Sequence, residues 1–331
     1  MVGVVQETAV PKVSFVVTVY NKAPFLPHVA AGLAAQRGDF EREFIFVNDG
    51  STDASPSLLR RLTARWSNVH IIDQENVGPS AAFNAGLRRA SGDLIKPLDG
   101  DDVLTPWATD RLIAAVMTSG CHVAYATQQE TYDQARSSEE VMVAMRPPRD
   151  SGIERYDDML RRSLRRPQTT PSAWLARADL ARRIGGCDPR VFIQDYSIEL
   201  RLAAESGFAH VDEQIFLSPQ TREGRMSQNE AQTLHDINLA LAHFLDDHPD
   251  IPLALRQYAF ARAAGRASAW ARRRARKGPL SRDFLRYLGA RTGMIPPSFA
   301  NCRATCRIFG ETNEIRLMAD SVEAPPYLAA V

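Results

Sequence analysis

Residues 75–102 read ENVGPSAAFNAGLRRASGDLIKPLDGDD, and the order of signals along them sets the fold. Gly78-Pro79 opens a helix, because proline at the first helical position gives up an N–H that has no partner there. Helical spacing runs to about Ala90 and stops at Ser91-Gly92. Asp93 to Leu98 then reads as a buried strand, which ends directly in Asp99-Gly100-Asp101-Asp102. In open α/β sheets, ligands gather at the carboxyl ends of strands. Three carboxylates packed there repel one another unless a cation neutralises them. Oxygen-only donors select hard ions such as Mg²⁺ or Mn²⁺. Taken alone, the run fits a solvated acidic turn equally well.

The same alternation extends in both directions. Val13 to Val19 (VSFVVTV) is a continuous β-branched run, the pattern of a strand buried on both faces. Helical spacing follows over His28 to Gln36. Glu43 to Asn48 is a second strand closed by the turn Asp49-Gly50-Ser51-Thr52-Asp53, and Leu58, Leu59 and Leu62 mark the next helix. Val69 to Ile72 is a third strand. Past the acidic run the pattern predicts a helix over Val103 to Ser119 and strands over His122 to Thr127 and Thr169 to Leu175. A further helix is predicted from Asp195 to Ser206. Glu130 to Arg166, polar and arginine-rich, reads as a variable insertion or mobile loop. Beyond about Gln228 helical patterns dominate. The expected architecture is α/β, a mainly parallel sheet flanked by helices over residues 1–220, with a mainly helical extension over 221–331.

Three segments carry a resemblance: VVTVYN (Val16 to Asn21), FVNDGSTD (Phe46 to Asp53) and the stretch from Glu75 to Asp102. Their order, spacing and strand-end placement are similar to those of family 2 glycosyltransferases of the GT-A fold. The resemblance implies that Thr18 and Tyr20 lie beside a nucleotide base and that Asp49 holds base or ribose. It implies that Asp99 and Asp101 form a DxD element contacting ribose and a Mn²⁺ or Mg²⁺ ion, with Asp101 the direct ligand and Asp102 supporting it. The segment GGCDPRVFIQDYSIELRLA (Gly185 to Ala203) resembles the family's base-bearing stretch, which makes Asp195 the general base. Asp195 as a helix cap is the bland alternative, and the two roles are compatible. TREGRMS (Thr221 to Ser227) resembles the loop that closes over the donor, where Arg222 and Arg225 would clamp the diphosphate.

Two positions depart from the family pattern. Phe83 stands where an Arg usually precedes the Asn of the helix, with Arg88 or Lys96 as candidates to compensate. Gln194 stands where a Glu often precedes the base. The implied function is an inverting transfer of a sugar from a nucleotide-diphosphate donor, UDP first and GDP or dTDP next, to the hydroxyl of a glycan or lipid-linked acceptor. A catalytically silent nucleotide-sugar-binding or scaffolding protein on the same fold is the alternative. A dinucleotide-dependent oxidoreductase is excluded, because the turn after the first strand, Tyr20-Asn21-Lys22-Ala23-Pro24, has no glycine to admit a pyrophosphate.

Bulk composition is neutral on all of this. The 331 residues carry a formal charge of +1, so nothing draws the chain globally to nucleic acid. Four scattered cysteines make no disulfide framework and are expected as reduced thiols. Cys302 and Cys306 share a helix face, but no nearby His completes a zinc site. The first dozen residues lack a signal-peptide pattern and no apolar run is long enough to span a bilayer, so a cytoplasmic location is expected. Arginines from Arg256 to Arg276, interleaved with alanines and Trp270, allow peripheral contact with anionic lipid.

Overall fold

The structure, a computed structural model, describes residues 10–147, 152–221 and 228–318, apart from the side chain of Gln129. The strands are β1 (Lys12–Val19), β2 (Glu41–Asp49), β3 (Val69–Gln74), β4 (Leu94–Asp99), β5 (Val103–Leu104), β6 (Val123–Tyr132), β7 (Ile153–Tyr156), β8 (Trp174–Arg177) and β9 (Phe208–Pro219). Helices α1 (Leu26–Ala34), α2 (Ser55–Thr63) and α3 (Pro79–Arg89) join the first four strands. Then come α4 (Ala108–Ser119), α5 (Ser138–Val143), α6 (Met159–Arg165), α7 (Ala178–Arg183) and α8 (Asp195–Glu205). The C-terminal helices are α9 (Glu230–Asp247), α10 (Leu253–Arg273), α11 (Arg282–Thr292), α12 (Phe299–Arg303) and α13 (Arg307–Gly310).

One sheet runs in the order β3-β2-β1-β4-β8-β6-β9-β5, and β7 pairs with β9 as well. β1 to β4 are mutually parallel, β8 is antiparallel to β4 and β6, and β6 and β9 are parallel. The central strands are mostly apolar because both faces are covered. Phe15, Val17, Phe44 and Phe46 enter the core on one face, with Leu33 and Leu112. Val16, Ile45 and Val47 enter the other, with Phe83, Leu87 and Trp174. The register places Thr18 beside Asp99 and Val47, so the ends of β1, β2 and β4 open at one level.

The C-terminal helices do not stand apart. Leu164, Val191, Tyr196 and Leu200 share an apolar cluster with Leu241, Phe244, Phe260 and Ala263. That cluster braces the segment before α8 from behind. Trp270 faces inward, 6% exposed, and donates from Nε1 to Thr312 Oγ1 at 2.9 Å. Arg256 spends its guanidinium on the carbonyls of Leu245 and His248, and Arg266 on Asn238 Oδ1. Only part of the basic face expected of α10 therefore meets solvent, including Arg272 and Arg273. Among the described residues no helix is long and apolar enough to cross a membrane.

Several expectations are corrected. The helix predicted from Val103 begins at Ala108, after a two-residue strand paired with Leu217 and Phe216. Pro106 accounts for this, because it disfavours helical geometry in the residue before it. The strand expected over Thr169 to Leu175 begins only at Trp174, after a 3₁₀ turn over Pro171–Ala173. Much of Glu130 to Arg166 is ordered rather than loop: β6 continues to Tyr132, α5 follows behind a Ser137–Glu140 capping box, and β7 joins the sheet. β9, twelve residues long, was not expected.

Candidate functional site

The loops after β1 and β2 are stitched to each other. Asn21, held at a φ of 52°, accepts from the Thr52 N–H at 2.8 Å, and its own N–H donates to Ser51 Oγ at 3.0 Å. Asp53 Oδ2 accepts from the Ala23 N–H at 3.0 Å, and the Lys22 N–H donates to Ser55 Oγ at 2.9 Å. These bonds fix the rim against which a base or ribose would lie. Tyr20 stands on that rim, 45% exposed, and Thr18 lies below it, partly buried.

Asp49 is buried and works on the neighbouring loop. Its carboxylate accepts from Gln74 Nε2 at 2.8 Å, the Val77 N–H at 3.1 Å and the Gly78 N–H at 2.9 Å. Gly78 takes a φ of 95°, which a side chain would strain, and so turns its N–H onto Asp49 as the chain enters α3. The carboxylate thus sets the wall of the site through the β3–α3 loop.

The acidic run follows β4. Asp99 donates its N–H to Ser172 Oγ at 3.1 Å, Asp102 Oδ1 accepts from Ser218 Oγ at 2.7 Å, and the Asp101 carbonyl accepts from Tyr132 OH at 2.9 Å. Gly100 is required by close approach: a Cβ there would lie 2.7 Å from the Thr18 carbonyl oxygen. Asp101 Oδ2 is 2.5 Å from Lys22 Nζ. Desolvation first, then the carboxylates of Asp102, Asp195 and Asp101, hold the Asp99 carboxyl well above its usual range. Asp195, the first residue of α8, is pushed from 3.8 to about 7 by desolvation and by Asp102. Four aspartates from two distant stretches of sequence thus crowd one desolvated strand-end.

The turn before Asp195 is clamped. Asp188 is bound by Arg190 at 2.7 Å and by Arg201 at 2.9 Å, and Arg190 also pairs with Asp247 at the end of α9. The Ile193 N–H donates to Asp236 Oδ2 at 3.0 Å. Truncating one member of such a buried set costs about 3–5 kcal/mol, because its partners keep their charge. Gln194 is buried, and its Oε1 has no hydrogen-bond partner among the described residues. Glu199, one turn past Asp195, is raised from 4.5 to about 7 by desolvation while accepting from the Gln168 and Thr169 N–H groups.

The two compensating candidates lie elsewhere. Lys96 is fully buried, its Nζ held by the carbonyls of Ser172 at 2.7 Å and Pro97 at 2.9 Å, with Asp102 and Asp99 as its nearest countercharges. Arg88 is exposed in the last turn of α3, the end away from the loop that carries Gly78. Phe83 is core, 3% exposed and edge-on to Trp174 at 6.2 Å. Arg222 and Arg225 lie outside the described residues. The donor set fits a divalent ion as an open half-site. The oxygens on offer are carboxylates, whose mutual repulsion a cation would relieve. No group of three or more His, Cys, Asp or Glu among the described residues is arranged to hold a metal alone. Substrate oxygens would have to complete the shell.

A family model described as "Glycosyl transferase family 2" matches residues 14–185, just over half of the chain. The chain belongs to glycosyl transferase family 2. The succinoglycan biosynthesis protein ExoO of Rhizobium meliloti is 35% identical over 115 residues, 35% of this chain and 32% of that protein. The chain spans about a third of the length of the curated relatives it matches. Among solved structures, S. aureus TarS 1–349 in complex with UDP-GlcNAc is similar over 95% of this chain and 98% of that one, with a TM-score of 0.53 at 14% identity. The mannosyltransferase PcManGT of Pyrobaculum calidifontis, in complex with GDP-Man and Mn²⁺, covers 92% and 86%, with a TM-score of 0.52 at 18% identity. At these identities the likeness shows the fold, which is GT-A: a central sheet flanked by helices.

Sequence reasoning missed the residues that support the family motifs. Lys22, Ser172, Tyr132 and Ser218 touch the acidic run, yet they come from four segments scattered over about two hundred positions. Lys22 alone carried a signal, a lysine just beyond the first strand end. Glu199 was visible only as a carboxylate four residues past Asp195, on the same helical face.

Proposed function

We propose that the chain is a metal-dependent inverting glycosyltransferase. It moves a sugar from a nucleotide-diphosphate donor, a UDP-sugar first, to an acceptor hydroxyl in glycan synthesis. The observation that carries this reading is the convergence of Asp99, Asp101 and Asp102 with Asp195 at one desolvated strand-end. The UDP-GlcNAc complex of TarS supports the donor class, the Mn²⁺ complex of PcManGT supports the metal, and ExoO supports a polysaccharide product.

In this mechanism the nucleoside rests against Thr18, Tyr20 and the loop that Asp49 holds. Asp99 and Asp101 would hold Mn²⁺ or Mg²⁺, which would supply the positive charge that stabilises the departing diphosphate. Asp195 accepts the proton of the acceptor hydroxyl as it attacks the anomeric carbon. A base with a pKa near 7 suits that task at neutral pH. Because Asp195 takes a proton and forms no bond to the sugar, one displacement inverts the anomeric centre. Arg222 and Arg225, by the family resemblance of their segment, would clamp the diphosphate.

The test is UDP release from a panel of UDP-sugars with Mn²⁺ and with EDTA, repeated on Asp101→Asn. The reading expects metal-dependent release that the substitution removes. Release that ignores both metal and substitution would refute it.

A further inference from the structure

Two lysines flank the four aspartates, and they are held differently. Lys96 lies beneath the cluster, fully buried and fixed by two carbonyls. Lys22 lies beside it, with 22% of its side chain exposed. The Lys22 backbone is pinned: its N–H donates to Ser55 Oγ, and its carbonyl accepts from the Phe25 and Leu26 N–H groups at 2.9 and 3.2 Å. Its stem passes Gly100, where a Cβ would sit 3.3 Å from Lys22 Cγ. The ammonium ends 2.5 Å from Asp101 Oδ2 and 5.7 Å from the Phe25 ring centre. The main chain is therefore rigid, while the four-carbon side chain ends in an ion pair that solvent can reach.

The four carboxyl groups outnumber the two ammonium groups, so the cluster can take a further cation. Asp101, however, is already paired. An ammonium and a divalent cation cannot both sit at contact distance on the same carboxylate oxygen, because their repulsion is strong in a desolvated site. The donor's diphosphate supplies new anionic oxygens beside the metal, and a flexible lysine stem can follow them. Glycine at position 100 leaves that stem a passage along the acidic run.

We propose that Lys22 is the resident counterion of Asp101, that it yields this carboxylate to the divalent ion, and that it re-pairs with the diphosphate of the donor. Metal and nucleotide then bind cooperatively, since each removes an obstacle to the other. By linkage the coupling is the same whichever binds first. The inference rests on the metal-dependent reading above and adds the residue that ties the two ligands together.

The test measures binding of Mn²⁺ by electron paramagnetic resonance and of UDP by calorimetry, on the full chain, each with and without the other ligand. In Lys22→Met, Mn²⁺ alone should bind about tenfold more tightly and UDP with Mn²⁺ about tenfold more weakly, so that most of the coupling disappears. Lys22→Arg should keep part of the coupling, and Lys22→Gln provides a second neutral side chain if the Met variant does not fold. Asp101→Asn should reduce Mn²⁺ binding in both backgrounds. Wild-type coupling that survives in Lys22→Met, with unchanged Mn²⁺ affinity, overturns the role of Lys22 and leaves the enzyme reading standing. Wild-type UDP binding indifferent to Mn²⁺ overturns both.

Discussion

Replacing Asp195 by Asn tests the proposed base directly, because Asn keeps the size of the side chain and its capacity to cap a helix but cannot ionise. The carboxyl is raised from 3.8 to about 7 in the folded chain. Between those values the folded chain keeps a proton that the unfolded chain has lost. The stability this proton contributes is full below about pH 4 and is lost as pH rises through about 7. The raised value corresponds to roughly 4 kcal/mol against ionisation. Relaxation of the site would leave about 1–2 kcal/mol of that as a measurable gain on neutralisation. Asp195→Asn should therefore melt several degrees higher than wild type at pH 8, at about 2–4 °C per kcal/mol, and close to it at pH 5. Metal-dependent UDP release should fall roughly hundred- to ten-thousand-fold, and the wild-type rise in rate with pH near 7 should vanish. A variant that loses stability equally at both pH values, or keeps wild-type turnover within about threefold, refutes the assignment.

Other substitutions follow from the same geometry. Restoring the family's arginine as Phe83→Arg should not raise activity. It buries a guanidinium beside Trp174 in place of an aromatic whose loss alone costs about 3–5 kcal/mol, and urea unfolding would register that cost. Asp49→Asn turns an acceptor into a donor against the Gly78 N–H, so stability should fall by about 1–3 kcal/mol and UDP should bind more weakly in calorimetry. Unchanged UDP affinity in a folded Asp49→Asn chain would rule out its loop as part of the nucleotide wall. Glu199→Gln removes a carboxyl raised to about 7. The pH at which Asp195 ionises, read from the pH–rate profile, should then move downward, and a profile that stays in place would separate the two groups.

The parallel half of the sheet was legible because β1, β2 and β4 are largely apolar runs buried on two faces, and turn chemistry separates them from one another and from the edge strand β3. The rest was harder for identifiable reasons. β7 is four residues, IERY, nearly all exposed, and it gains its place only by pairing with β9. β9 carries His210, Asp212 and Glu213 in its first half and Gln214 directly after, which breaks both the alternating and the continuous pattern. Glu213 is buried all the same, because Arg111 of α4 reaches across to it. The carboxylates proposed for the site could be named from sequence because they fall in the segments that carry the family resemblance, three of them at and just after the end of β4. What holds them could not: the partners of Asp101 and Asp102 come from segments that only the folded chain brings together. Phe83 shows the converse, a motif position recruited into the core once Trp174 lay opposite.

The most direct test of the central claim is calorimetric titration of UDP into the wild-type chain and into Asp101→Asn, each with Mn²⁺ and with EDTA. The account predicts that Mn²⁺ tightens UDP binding to wild type by at least about tenfold and does nothing for Asp101→Asn. Equal affinity in Mn²⁺ and EDTA for the wild-type chain would contradict it.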